Sequence, residues 1–97
     1  MYVVEIHYTR PSTDVPFYTD RPSYLDNITA LARASGDLES QVIEMIEPLR
    51  ARYKAVWRSR EAWAKWVEGN PLTAALNKKM DDYHAKHGIT SQRIDQP

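Results

Sequence analysis

Apolar and polar positions along the chain divide it into short segments with different periods. From Tyr2 to Thr9 the period is two: Tyr2, Val4, Ile6 and Tyr8 fall on one face, and Val3, Glu5, His7 and Thr9 on the other. Rich in Val, Ile and Tyr, this segment predicts a strand. One face is apolar throughout and the other mixed, as in a sheet covered by helices on one side only. Arg10 to Pro22 follows as a loop, because Pro11, Pro16 and Pro22 remove backbone donors that a helix or central strand needs. The loop nevertheless carries Val15, Phe17 and Tyr18, and Phe17 is the only phenylalanine of the chain. Val15–Tyr18 is therefore expected to pack on the domain or on a partner subunit.

The period changes to that of a helix at Ser23. Ser23 and Asp26 form a weak capping box, Leu25, Ile28, Leu31 and Ala32 make one stripe, and Gly36 suits a left-handed stop. Leu38 to Arg58 is rich in Val, Ile, Tyr and Trp and is broken at Glu47-Pro48. A helix over 38–56 competes, since Leu38, Val42, Met45 and Leu49 also lie near helical spacing, but Pro48 inside it would cost ~3 kcal/mol. The preferred reading is a hairpin, with strands over Ser40–Ile46 and Leu49–Arg58. Ser59 with Glu61 opens the next helix, whose buried stripe is Ala62, Trp63, Trp66 and Val67. Gly69-Asn70-Pro71 breaks it, and Asn70 as cap with Pro71 in the first turn restarts it. Leu72, Ala75, Leu76, Met80, Tyr83 and His87 continue the stripe to Gly88. Ile89–Ile94 reads as a last short strand, with 95–97 fraying. The order βαββαβ is the ferredoxin-like plan, an α+β fold whose helices cover one sheet face.

At 97 residues this is one domain, over 1–97, with one thin core. Thirteen basic and thirteen acidic residues cancel, and there is no basic run. Nucleic acid and anionic membranes are therefore not expected partners, because both are held chiefly by positive charge. No cysteine is present, which removes disulfides, thiolate metal sites and a cysteine nucleophile. The apolar runs are too short to span a bilayer, and Met1–Ile6 lacks the form of a signal peptide, so a cytoplasmic protein is expected.

The segment from Tyr53 to Trp66, followed by Asn70-Pro71, resembles the junction of strand three and helix two in antibiotic biosynthesis monooxygenase-like proteins of the dimeric α+β barrel superfamily. The shared pattern is an aromatic strand end, a Ser cap, Glu61-Ala62, Trp63, Trp66 and the Asn-Pro break. The resemblance implies a homodimer whose two sheets face each other. It also implies a pocket between sheet and helices, placed here around His7, Tyr53 and Trp66. The family holds cofactor-free monooxygenases, haem-degrading enzymes and members without known activity. Haem degradation is not expected: Trp66 matches the helix-two Trp, but Leu76 stands where the haem-ligating His would be, and His7 stands near the strand-one Asn position. No cofactor or resident metal is expected.

Other constellations have two readings each. Glu5 and His7 share a strand face, as an acid–base pair or as a polar pair at an interface. Asp81, His84 and His87 follow at i, i+3 spacing, as metal ligands or as cations favoured in a last helical turn. Trp57, Trp63 and Trp66 make a core or a wall for a flat ligand. Arg50, Arg52, Lys54 and Arg58 alternate on strand three, as an anion site or as a salt-bridged face opposite Glu44 and Glu47. The expected function is that of a homodimer that is non-catalytic or binds a small apolar or aromatic molecule; a cofactor-free monooxygenase is the alternative. A further alternative rests on Thr9-Arg10-Pro11 and Asp14-Val15-Pro16-Phe17, which are similar to segments of bacteriophage-encoded chains. That resemblance implies an accessory protein binding a protein partner through loop 10–22, with Phe17 and Tyr18 as the contacts.

Overall fold

The computed structural model describes residues 1–18 and 23–94, with side chains described for 1–18 and 28–94. The elements run β1 (Tyr2–Thr9), α1 (Ser23–Ala34), β2 (Leu38–Glu47), β3 (Arg50–Trp57), α2 (Arg60–Trp66), α3 (Pro71–His87) and β4 (Thr90–Ile94). The sheet has the order β2-β3-β1-β4, and each neighbouring pair is antiparallel. This is the α+β arrangement of ferredoxin-like domains. The proposed Ser23–Asp26 capping box, the Leu25 side chain, Pro22 and residues 95–97 lie outside what is described.

The competition over 38–56 is resolved as a hairpin. Pro48 and Leu49 occupy its turn, where the missing proline N–H breaks no ladder, and Glu47 pairs with Arg50 across it. Strand two begins at Leu38, two residues earlier than the alternation indicates, because a register shift between Leu38 and Ser40 lets Leu38 pair with Trp57.

Local chemistry sets the helix ends. The Ser59 side chain accepts from the Ala62 amide at 3.1 Å, and the Asn70 side chain accepts from the Leu72 amide at 3.0 Å. Pro71 fills the first turn of α3. Two glycines adopt positive φ at helix C-termini: Gly36 (81°) after α1 and Gly88 (71°) after α3. The chain then bonds back to the last turn, Asp37 N to Ala32 O at 3.1 Å and Ile89 N to His84 O at 3.0 Å. Ile89 is buried, as a Schellman-type stop favours.

The core is small. It gathers Val4, Ala32, Leu38, Ala55 and Trp57, with Tyr2, Ile6, Tyr53, Trp63, Trp66 and Val67 packed on it half-buried. Period-two alternation puts Val4, Ile6 and Tyr8 of β1 and Ala51, Tyr53, Ala55 and Trp57 of β3 on the helix side. Three positions of the expected stripes are exposed: Leu31 (60%), Leu72 (47%) and Ala75. Helix α3 has no buried residue along its 17 positions. It stands off the sheet, and the space beneath it is the cavity described below.

The opposite sheet face has no described helix over it. It carries Val3, Glu5 and His7 of β1, Arg50, Arg52, Lys54 and Val56 of β3, and Val42, Glu44 and Glu47 of β2. Arg52 forms an ion pair with Glu44 across the strands, and Glu47 is in register with Arg50.

Candidate functional site

Small residues on the sheet and a helix held at a distance leave a cavity of about 980 Å³ between them. Its floor is Ile6 and Tyr8 of β1 with Ala51 and Tyr53 of β3. Gln41, Ile43 and Met45 of β2 extend that floor, and Trp66, Leu76 and Met80 form the roof. Ala51 is the small floor residue between Tyr53 and the hairpin, so alternation of small and large residues on β3 makes the room. The volume falls at the upper end of the few hundred to ~1,000 Å³ that small-molecule sites occupy.

Loop 10–18 closes one side. Phe17 and Tyr18 line the cavity half-buried. The Arg10 guanidinium lies 4.9 Å from the Phe17 ring, and its nitrogens donate to Pro48 O at 2.6 and 3.0 Å and to Val15 O at 3.2 Å. Tyr83 of α3 donates its hydroxyl to Pro16 O at 2.6 Å, and its ring lies 5.3 Å from that of Tyr18. One arginine and one tyrosine thus tie the loop to the hairpin and to α3, which places Val15–Tyr18 against the domain itself.

Trp66 is fixed from behind by Asp37. The indole N–H donates to the Asp37 carboxylate at 2.8 Å; Arg58 pairs with the same carboxylate, and the Lys65 ammonium lies 3.8 Å away. Asp37 is only 2% exposed. The Trp66 hydrogen bond, helped by the charge of Arg58, holds its carboxyl below the ordinary range. Asp37 also accepts from the Arg58 amide at 2.8 Å through its carbonyl, so one residue joins the end of α1, the end of β3 and α2. No spacing pattern in the sequence singles it out; the only hint is its place directly after the Gly36 stop.

The polar end of the cavity lies between β1, β3 and α3. Gln41 donates to the Tyr53 hydroxyl at 3.0 Å. Tyr8 faces His84 with ring centroids 5.2 Å apart. Burial, reinforced by Tyr53 and Asp81, pushes the Tyr8 phenol up to about 12. Burial pulls the His84 imidazole below its ordinary value against the opposing charge of Asp81.

Of the residues read as a ligand site, Tyr53 and Trp66 line this cavity and His7 does not. His7 lies on the other face of the sheet, as its odd place in the β1 alternation requires, and donates to Glu5 at 2.8 Å. That bond, with the charge of His7 behind it, lowers the Glu5 carboxyl. The helix-side position that His7 was expected to fill belongs to Tyr8. The Asp81–His84–His87 series does not act as one cluster: His84 turns to Tyr8, while His87 stacks near Tyr83 at 4.2 Å. Among the described residues no group of three or more His, Cys, Asp or Glu could hold a metal ion. No described helix is long and apolar enough to cross a membrane.

Fold and site together define a small α+β domain with an antiparallel sheet and an apolar cavity beneath its helices. The chain matches no family model and no curated protein. It is similar to the solved structure of Rv0793 from Mycobacterium tuberculosis, at 19% identity over 98% of this chain and 94% of that one, with a TM-score of 0.47.

Proposed function

We propose that this chain is a homodimer of the antibiotic biosynthesis monooxygenase-like kind, and that each copy binds a small, flat, mainly apolar molecule between sheet and helices. The observation that carries the ligand reading is the cavity of about 980 Å³ walled by Tyr53, Trp66 and Phe17. A domain this size gains stability by filling its interior, so a space of that volume framed by rings favours a flat guest. In this reading loop 10–18 serves as a wall of the ligand site, since Phe17 and Tyr18 already have intramolecular contacts.

The dimer reading rests on the uncovered sheet face. Its Val3, Val42 and Val56 are apolar, and its basic row on β3 runs beside an acidic row on β2. A two-fold-related copy can set each row against the opposite one, which makes the face self-complementary. Sedimentation at micromolar concentration should give twice the 11.3 kDa chain mass, and Val42→Lys should return it to that mass without unfolding the domain. Fluorescence of the neutral probe N-phenyl-1-naphthylamine should rise on binding, and Trp66→Ala should weaken its affinity ~10-fold or more, as loss of a buried aromatic contact does. A monomer refutes the dimer. Absence of probe binding refutes the ligand cavity.

A further inference from the structure

At the end of the cavity where β1 meets the last turns of α3, a weak acid stands beside a weak base. Tyr8 and His84 both line it, with their ring centroids 5.2 Å apart. Neither makes a side-chain hydrogen bond to another described residue. Both rings are half-buried. Tyr53, with Gln41 bonded to it, lies next to Tyr8, and Asp81 stands one turn before His84.

We propose that this end of the cavity abstracts a proton from the carbon next to the carbonyl of an uncharged, flat ketone. Tyr8 would donate to the carbonyl oxygen while His84 faces the adjacent C–H. The C–H bond breaks, and its proton goes to the unprotonated ring nitrogen of His84. The electron pair forms a carbon–carbon double bond and moves charge onto the oxygen held by the Tyr8 O–H. Return of the proton to the same carbon, or to a conjugated one, regenerates a ketone. No electron is gained or lost overall, so exchange and isomerisation need no further reactant.

The electrostatics suit these roles. With its phenol pushed up to about 12, Tyr8 keeps its proton at neutral pH and stays a donor. With its imidazole held below the ordinary value, His84 stays an unprotonated base there. Neighbouring groups whose environments shift their acidities apart are the usual arrangement of an acid and a base. The ligand should be neutral, because the lining sets two carboxylates, Glu44 and Asp81, against two guanidinium groups and otherwise offers phenols, amides, hydroxyls and an imidazole. Of the arginines on its wall, Arg10 is engaged by carbonyls and Arg93 by the Tyr2 hydroxyl.

This inference rests on the cavity being a ligand site, and the test separates the two. The probe is 2-tetralone in D₂O, with loss of its α-proton signals followed by NMR. The protein should speed exchange at least ~100-fold over the same concentration of free imidazole, and Tyr8→Phe and His84→Gln should each lower the rate ~100-fold or more. Both variants should keep the wild-type circular dichroism, and their rates are compared at saturating 2-tetralone; His84→Asn replaces His84→Gln if that variant does not fold. The rate should fall as pH drops through the His84 titration. Among the described residues, the groups facing that ring are Tyr8 from the sheet and Asp81 and Tyr83 from its own helix. If 2-tetralone displaces the naphthylamine and exchange stays at the imidazole level, or if exchange survives both substitutions, the acid–base assignment is overturned and the cavity reading stands. Binding of the naphthylamine but not of 2-tetralone overturns the ligand class. Binding of neither overturns the cavity reading, and this inference with it.

Discussion

Phe17→Ala tests whether the proline-bounded loop is part of the domain or a surface offered to others. The ring is half-buried, lines the cavity and sits 4.9 Å beneath the Arg10 guanidinium. Full burial of such a side chain stabilises by about 1.5–3 kcal/mol, so half-burial contributes about 1 kcal/mol. The Arg10 contact adds about 0.5–1 kcal/mol at a partly exposed site. The site already borders open space, so truncation adds little of the new-cavity cost that raises core substitutions to about 3–5 kcal/mol. The expected loss is therefore about 1.5–2 kcal/mol, or roughly 6–16 °C in Tm for a domain of this size. Urea unfolding followed by tryptophan fluorescence measures it. A loss under about 0.5 kcal/mol, the range of ordinary surface substitutions, would mean that the ring makes no stabilising contact in solution. The partner-binding reading of loop 10–22 would then lead. A loss above about 3 kcal/mol would mean that something more than one chain covers Phe17, and a second copy would be the first candidate.

Two further outcomes follow from the same contacts. Tyr83→Phe removes the 2.6 Å bond to Pro16 O and should cost about 0.5–1.5 kcal/mol; combined with Phe17→Ala the losses should not add, because both act through one loop. Additive losses in that cycle would show that loop and helix are uncoupled. Asp37 has a carboxyl lowered in the folded state, so its ionisation favours folding above the ordinary value of 3.8, and that contribution disappears as pH falls through the lowered folded value. Urea midpoints of wild type and Asp37→Asn should therefore differ at neutral pH and converge in acid, and a gap that persists in strong acid would contradict the role given to that carboxylate.

The βαββαβ order, the Pro48 hairpin and the helix stops at Gly36 and Gly88 were legible in the sequence, because each rests on local chemistry. A missing N–H, an αL glycine, an Asn-Pro start and a period of two act within a few residues. The same alternation assigned Tyr8 and His7 to opposite faces. The expectation that placed His7 with Tyr53 and Trp66 broke that rule, and the structure restores it by setting Tyr8 in the cavity. What the sequence could not supply is distance. That α3 stands off the sheet, so that Leu72 is exposed and a cavity opens over Ala51, depends on how far apart packed layers settle. That His84 turns to Tyr8 rather than to His87 depends on a strand some seventy-six residues earlier in the chain, a separation that no helical spacing encodes. Asp37 is the clearest case. In sequence it is one polar residue after a helix stop; in the folded chain Trp66, Arg58 and Lys65 converge on it from elements that only tertiary packing brings together.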